Sequence, residues 1–432
     1  MDHQAELVTL LKRKGTGPTM SKSLHGDDFT LLENLLASSN VNLTTKATMM
    51  TAILTLDPNP EEANWIQTLK NNPAQFLPKE IVGLCEPIDD HPLLQYVKAA
   101  IDHQHLNAIQ MAEAMDWVLA PETPEWLKGS FLEAQRLKRE TQEENDACLR
   151  LFYERSQHLH TKLPLLIDLS NGYDGMNRHH NLTLFTAPLL ASIGFPVILH
   201  GIDEVAPKKG SNPYQLLALA NKNPLKSPTD VVLDLENPDI GWGYVDQSLT
   251  FPELAALKQL RTHMVKRPIL ATVEKLLQPI QAKKNLLVTG FTHSAYKEIL
   301  AVMLEKQASA DQFLIIRGLE GSIQLSTEKR APWILHDGDT LFTDNFVSPS
   351  DYEIAKIPMV PDMELPLQGS LTEGINALQH HPGVGMTSIL YLAITILDKF
   401  GLMTPEEAKM KLIESLVQGI AFSHWQKGML KK

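Results

Sequence analysis

Apolar residues in the first third of the chain recur every three or four positions. Phe29, Leu32 and Leu35 form one such series, and Ile109 and Ala112 begin another. This spacing is typical of amphipathic helices, and strand-like alternation is scarce there. We therefore predict a helical region from Asp27 to about Ser156.

Two proline-rich breaks divide this helical region. Residues 57–60 read Asp-Pro-Asn-Pro, and residues 120–124 read Ala-Pro-Glu-Thr-Pro, each with a tryptophan shortly after it. Such breaks end one helix and start the next. They indicate a weak internal repeat of helical pairs, although two unrelated turns would give the same pattern.

Short apolar runs follow Ser156 and have the length of buried strands. They alternate with helical patterns over residues 181–194 and 295–305, which predicts an α/β domain with a mainly parallel sheet. A loop-rich stretch from Pro207 to Leu254 is expected to fold over the sheet edge, and the tail from Gly383 to Trp425 returns to helices. The predicted strands lie in Leu163–Leu169, Phe195–Leu199, Leu286–Gly290 and Phe313–Gly318.

Composition and charge narrow the class of protein. The 432 residues suffice for two to three domains, and the net charge of −12 opposes a general attraction to nucleic acid or acidic membranes. Cys85 and Cys148 are too few for a disulfide framework or a zinc cluster, and the longest apolar run, Ile389–Leu397, is too short to span a bilayer. With no signal-peptide pattern after Met1, we expect a cytoplasmic protein without a membrane partner.

The segment between the first predicted strand and its helix is the most informative one. Residues 168–183 contain Asn171-Gly172 and Asp174-Gly175, and glycine at such positions lets the backbone curl and turn several N–H groups toward an anion. The helix that follows starts near Asn181 and adds its N-terminal amides. A turn that needs glycine for geometry alone is the alternative, and the usual nucleotide-binding fingerprints are absent from the sequence.

At these residues the sequence resembles the anthranilate phosphoribosyltransferase family, which is glycosyltransferase family 3. The resemblance rests on Asn171–Gly175, Asn181–Thr183 and Gly194–Gly201 and covers roughly residues 92–425. Further similar segments are Phe131–Thr141, Arg267–Pro279, Gly318–Gly321 and Ser370–Gly374.

The resemblance implies a fold with a helical N-terminal domain and an α/β domain of the nucleoside phosphorylase/phosphoribosyltransferase type. The expected domains are an extra helical region at 1–91, the helical family domain at 92–160 and the α/β domain at 161–432. The resemblance also implies a homodimer formed through the helical domain.

Departures from the family pattern limit the expected activity. Tyr173 replaces the second glycine of the family's pyrophosphate loop, and Asp203 stands where the family has an arginine. The acidic pair that binds magnesium in the family is represented by Glu320-Gly321, with one carboxylate of two, so magnesium is a candidate cofactor with an incomplete site. The sequence is closest to the divergent second-type paralogues, and true anthranilate transfer is disfavoured.

The leading hypothesis is a glycosyltransferase-family protein that recognises a phosphorylated or phosphoribosyl-type small molecule, with pentosyl transfer an open question and no catalytic residue assigned. Asn171 to Gly175 would shape the anion loop, Asn181 and Thr183 would donate hydrogen bonds, and Arg267 would pair with an acidic group. The full set of candidate ligand-binding residues is Asn171, Gly172, Asp174, Gly175, Arg178, Asn181, Thr183, His200, Gly201 and Arg267.

A non-catalytic nucleic-acid binder is the alternative. Residues 258–284 carry seven cations and a single acid, Glu274, in an otherwise acidic chain, and such a segment could contact phosphates in a groove. Aromatic stacking residues are missing from it. The named candidates are Lys258, Arg261, Lys266, Arg267 and Lys275. A structural relic kept for partner contacts is a third interpretation.

Overall fold

A computed structural model describes residues 2–17, 19–86, 91–358, 365 and 367–430. The chain forms two compact units. The first consists of Met1–Leu151 and Ala256–Leu270, and the second of Phe152–Ala255 and Ala271–Lys432.

The first unit is helical, as the hydrophobic spacing predicts. Asparagine starts several of its helices: the side chains of Asn42, Asn59 and Asn107 each accept a hydrogen bond from a backbone N–H in the first turn. Its helices are α1 (His3–Lys14), α2 (Asp27–Ala37), α3 (Leu43–Thr55), α4 (Pro60–Asn71), α5 (Pro73–Phe76), α6 (Pro92–Ile101), α7 (Ala108–Leu119), α8 (Glu125–Lys138), α9 (Gln142–Arg155), which runs on into the second unit, and, later in the chain, α15 (Lys258–Met264). A 3₁₀ turn covers Val82–Leu84.

An internal repeat is present in this unit, with a period of 82 residues. Helices α3 and α8 begin at Leu43 and Glu125, and α4 and α9 begin at Pro60 and Gln142. The helix pairs α1–α2, α1–α3, α6–α7 and α6–α8 pack in corresponding fashion. The two proline-rich breaks at 57–60 and 120–124 are therefore not equivalent positions: the counterpart of the first is the turn at Arg139–Gln142.

The second unit contains a seven-stranded sheet in the order β4-β3-β2-β6-β7-β8-β9. The first five of these strands are parallel, and β8 and β9 are antiparallel. Every residue of β2, β3 and β4 is buried, as expected for a parallel sheet covered on both faces. The strands are β2 (Leu166–Ser170), β3 (Val197–Gly201), β4 (Trp242–Asp246), β6 (Asn285–Gly290), β7 (Gln312–Ile316), β8 (Ala331–His336) and β9 (Leu341–Val347), with a separate parallel pair, β1 (Leu159–His160) and β5 (Ile280–Gln281).

The remaining helices belong to the second unit, except that the first residue of α16, Leu270, is counted with the first unit. They are α10 (Thr183–Ala191), α11 (Pro213–Leu219), α12 (Pro228–Glu236), α13 (Gln247–Thr250), α14 (Pro252–Ala255), α16 (Leu270–Val273), α17 (Ala295–Gln307), α18 (Leu367–Leu378), α19 (Val384–Lys399), α20 (Pro405–Val417) and α21 (Ile420–Lys427). Three 3₁₀ turns cover Glu274–Leu276, Leu319–Gly321 and Pro349–Tyr352. Of the residues described, none lies in a helix that is long and apolar enough to cross a membrane.

The prediction of a loop-rich stretch from Pro207 to Leu254 is wrong. This stretch holds α11, α12, the edge strand β4 and two short helices. Its prolines at 213, 228 and 252 stand at the first helical position. Proline lacks the N–H that is unpaired there in any case, so these prolines start helices instead of breaking them.

Candidate functional site

The candidate site lies at the carboxyl end of the central strand β2. The chain leaves β2 toward β3 on one side, whereas β6, on the other side of β2, leads away toward β7. Loops at such a switch point diverge and leave a crevice, which is where open α/β sheets bind ligands. Residues 171–182 form the loop after β2, and residues 317–323, which include Glu320, form the loop after β7.

Two glycines hold the loop after β2 against a second loop. Gly175 has φ +73°, and a Cβ there would lie 2.3 Å from the Gly210 carbonyl oxygen. A Cβ on Gly210 would lie 2.6 Å from the Met176 nitrogen. Only glycine fits both positions, and the approach lets Met176 and Ser211 exchange backbone hydrogen bonds. At Gly175 the geometric requirement for glycine is therefore real.

The curled loop directs two of its backbone N–H groups at a carboxylate of the protein itself. Asn177 N–H and Arg178 N–H donate to Glu320 at 3.0 and 2.8 Å. His179 Nδ1 lies 3.2 Å from the same carboxylate, and Lys208 Nζ lies 3.8 Å from it. Two amides, an imidazole and an ammonium group thus converge on one negative charge.

The Glu320 carboxylate is held in its charged form. Partial burial by itself would raise its pKa, but the hydrogen bonds from His179, Asn177 N–H and Arg178 N–H and the charge of Lys208 lower the pKa to about 2. The backbone at Glu320 has φ +54°, in the left-handed region that favours glycine. A glutamate held in this conformation costs about 1–2 kcal/mol of backbone energy, which its contacts must offset.

This pKa gives a pH prediction. Because the folded-state pKa of Glu320 lies below the ordinary value of 4.5, its contribution to stability is complete above that value and is lost as the pH falls toward 2. We expect the difference in the free energy of unfolding between wild type and Glu320→Gln to shrink over this interval in urea titrations. A difference that stays constant with pH would show that the carboxylate charge does not stabilise the loop.

The side chain of Tyr173 lies inside the protein and not on the surface of the loop. Its ring is buried and packs against Ile202 and Val205. Its hydroxyl lies 2.5 Å from His200 Nδ1, and His200 Nε2 lies 3.1 Å from Asp168 Oδ1. An adjacent cavity of about 10 Å³ has room for about one water molecule. His200 is therefore held between Tyr173 and Asp168 below the loop.

The other predicted loop residues have internal partners of their own. Asn181 accepts a hydrogen bond from the Thr183 hydroxyl at 2.8 Å and donates to the Ser211 carbonyl oxygen at 2.8 Å. Asn171 Oδ1 accepts from Ile323 N–H at 3.1 Å. These contacts order the loop and the start of α10, and ligand binding by these side chains stays a prediction.

The remaining candidates are dispersed. Asp174 and Gly201 are buried, Gly172 is half-buried, and Arg178 points its exposed side chain to solvent. Arg267 is exposed and belongs to the first unit, whereas the loop after β2 belongs to the second. A role for Arg267 in binding an acidic group likewise stays a prediction.

Lys208 is a residue of the candidate site that sequence reasoning misses. Besides facing Glu320, its ammonium group donates to the carbonyl oxygens of Gly175 and Glu320 at 3.0 and 2.8 Å. It therefore joins the loops after β2, β3 and β7. The sequence does contain a signal: Lys208 follows the predicted strand Phe195–Leu199 by nine residues, and parallel strands bring the loops after them to one edge of the sheet.

The residues around Glu320 do not fit magnesium. Mg²⁺ prefers oxygen ligands, whereas the groups that surround this carboxylate are two N–H donors, a lysine and a histidine. Within the described ranges, no group of three or more His, Cys, Asp or Glu residues is arranged to hold a metal ion. The chemistry of the donors suits an anion.

The basic segment at 258–284 is divided between the two units. Lys258, Arg261, Lys266 and Arg267 belong to the first unit, and Lys275 to the second. Arg261 and Lys275 are buried at 3% and 7% exposure, so they are not accessible to a polyanion at the surface. The nucleic-acid interpretation gains no support from this arrangement.

Comparisons with known proteins agree with the resemblance. No protein-family model matches the chain. An uncharacterised protein of Aquifex aeolicus is 33% identical over 199 residues, which are 45% of this chain and 57% of that protein. The anthranilate phosphoribosyltransferase of Caldicellulosiruptor saccharolyticus is 25% identical over 246 residues, 57% of this chain and 70% of that enzyme. The chain thus matches little more than half the length of the Aquifex relative.

Solved structures show the same fold. Anthranilate phosphoribosyltransferase from Thermus thermophilus superposes with a TM-score of 0.63 at 19% identity, over 77% of this chain and 97% of that one. The enzyme from Saccharomyces cerevisiae in complex with PRPP and Mg gives a TM-score of 0.64 at 18% identity, over 78% and 97%. By its sequence relatives and its fold together, the chain is similar to the anthranilate phosphoribosyltransferases.

Proposed function

We propose that this protein binds a phosphorylated small molecule of the phosphoribosyl type at the crevice beside β2, and that it is not an anthranilate transferase. The observation that carries the proposal is the convergence of Asn177 N–H, Arg178 N–H, His179 and Lys208 on the Glu320 carboxylate. This set of donors has the composition of an anion site, and a phosphate group is also negatively charged and has more acceptor oxygens.

Two unpartnered polar atoms support a ligand in this crevice. Asn171 Nδ2 and Thr289 Oγ1 are buried and lack a hydrogen-bond partner among the described residues. Asn171 directly follows Ser170, which pairs with Thr289 in the register of β2 and β6, so both residues lie at the carboxyl ends of these strands. Leaving such a group unpaired costs about 1–3 kcal/mol, so water or ligand oxygens are expected to fill these positions.

The relatives indicate the ligand class. The yeast neighbour was solved with PRPP and Mg bound, and a phosphoribosyl compound has the phosphate groups that the loop donors suit. Binding such a compound does not by itself imply metal-assisted phosphoribosyl transfer, because the departing pyrophosphate needs its negative charge neutralised. Here the carboxylate at the loop is engaged by N–H donors and Lys208, which disfavours the same reaction.

Calorimetric titration with PRPP and with inorganic pyrophosphate tests the binding. We expect wild type to bind both, with no increase in affinity when magnesium is added. Lys208→Ala should weaken binding about tenfold to a hundredfold, since a charge-assisted contact contributes about 1.5–3 kcal/mol. Lys209→Ala is the matched control, because Lys209 is exposed and pairs with Glu204 at 3.1 Å.

Equal affinity of the Lys208→Ala and Lys209→Ala variants, or no heat from wild type with either compound, would overturn the binding proposal. The second half of the proposal has its own assay. Loss of anthranilate fluorescence in the presence of PRPP and magnesium, at a rate proportional to wild-type protein, would show that the chain is a transferase after all.

A further inference from the structure

The two halves of the helical repeat share their internal contacts as well as their helix positions. Leu24 N–H donates to Glu62 at 2.8 Å, and Leu106 N–H donates to Glu144 at 2.8 Å; donor and acceptor are 38 residues apart in both. Gly26 N–H donates to Glu61, and Ala108 N–H donates to Glu143. In both pairs the acceptor follows the donor by 35 residues.

The helix starts of the two halves agree in the same way. Asn59 and Glu62 bond reciprocally at the start of α4, and Thr141 and Glu144 do so at the start of α9. All these pairs are related by the same shift of 82 residues. Repetition of a whole contact set at one fixed offset is the mark of a tandem duplication, because chance would not reproduce both the spacing and the bonding.

The repeats pack on each other through equivalent helices. Helix α3 of the first repeat contacts α8 of the second, and α15 packs against both. A Cβ on Gly129 of α8 would lie 2.8 Å from Thr44 Cγ2 and 3.4 Å from Thr48 Oγ1, so small side chains bring the helices close together. Contact between equivalent elements is how two copies pair about a two-fold axis.

We infer that the helical unit is an intrachain pseudo-dimer. Helices α3 and α8 form within one chain the pairing that two copies of a single repeat would form between chains. Their contact surface is therefore not available to a second copy of the protein, and the protein is monomeric. Burial supports this: eleven of the thirteen residues of α3 and eleven of the fourteen of α8 are buried.

What is left on the surface of the unit agrees with this inference. Of its described residues, the large apolar side chains that are exposed are Met20, Leu31 and Ile109. A stable interface needs about 1,200–2,000 Å² with an apolar core, and three scattered side chains do not supply one. The inference thus departs from the homodimer that the family resemblance implies, and it is independent of the ligand proposed above.

Disulfide trapping in the full chain tests which molecule supplies the partner of α8. Thr48→Cys and Gly129→Cys are introduced together, with Cys85→Ser to remove the partly exposed native thiol; Cys148 is fully buried. We expect an oxidised product that migrates as one chain and has lost two of its three thiols, with the thiol of Cys148 retained. Covalent dimers as the main product would overturn the inference.

Sedimentation of the unmodified protein is the second measurement and requires no substitution. We expect a single species of 48.3 kDa over a hundredfold range of concentration. A species of twice this mass at micromolar concentration would contradict the monomer, whether or not the cysteine variant folds.

Discussion

Replacing Glu320 with glycine is expected to raise the affinity for pyrophosphate and PRPP about tenfold to a hundredfold, or about 1.4–2.8 kcal/mol. On the proposed binding mode, a phosphate group reaches Asn177 N–H, Arg178 N–H and Lys208 only by displacing the Glu320 carboxylate of the wild type. Glycine removes this competitor, and it also suits the left-handed backbone at position 320 without strain. The measurement is calorimetric titration of both proteins at constant ionic strength.

Glu353→Gly is a closely matched control for this variant. Glu353 has φ +51°, and its exposed side chain pairs with Lys409 at 3.3 Å in another part of the same unit. The control therefore makes the same chemical and backbone change away from the loop. If Glu320→Gly bound pyrophosphate no better than wild type and merely unfolded at lower urea, Glu320 would be a structural clamp and not a substitute for the ligand.

Neutralising Glu144 is expected to lower the free energy of unfolding of the helical unit by about 3–5 kcal/mol, the usual cost of breaking a buried ion pair on one side. Glu144 and Lys138 Nζ lie 2.7 Å apart, and both side chains are fully buried. In Glu144→Gln the lysine keeps its charge without a counter-ion. Glu62→Gln should act similarly, because Glu62 pairs with the buried Lys14 at 2.8 Å. Urea unfolding followed by circular dichroism measures both changes.

Two further variants separate charge from packing. Glu407→Gln breaks an exposed pair with Lys411 at 2.9 Å and should cost less than about 0.5 kcal/mol. The double variant Lys138→Met/Glu144→Gln removes both charges and should recover much of the lost stability. If the double variant were as unstable as Glu144→Gln alone, the hydrogen bonds from Leu106 and Thr141 would account for the loss, and the ion pair would not.

The parallel strands and the helices between them could be predicted because each is one local apolar run with a clear boundary. The strands at 166–170, 285–290 and 312–316 match the predicted ones closely. The strands at the two edges of the sheet could not be predicted in this way. β4 and the hairpin of β8 and β9 contain glycine, proline, aspartate and asparagine, and the neighbouring strands supply the hydrogen bonds that keep such residues extended.

For the candidate site, the local sequence indicates where the loop after β2 lies, but it does not indicate which groups contact that loop. Asp174-Gly175 correctly marks a sharp backbone turn, because Gly175 has φ +73°, whereas Gly172 has no positive φ. The carboxylate that meets this loop comes from residue 320, more than 140 positions later, and the lysine comes from a third loop. The family resemblance assigns Glu320 to an incomplete metal pair. Its neighbours, which only the fold brings together, are hydrogen-bond donors, and their chemistry suits an anion instead.

The duplication in the helical unit also changes how this protein can vary. In a symmetric pair of chains, every replacement at the axis occurs twice, so a clash or a lost contact is doubled. Here the two sides are separate stretches of one gene, and each can mutate alone: position 129 is glycine where its counterpart, position 47, is alanine. The buried glutamates have likewise acquired lysines from non-equivalent helices, α1 and α8, an asymmetry that no pair of identical subunits could adopt.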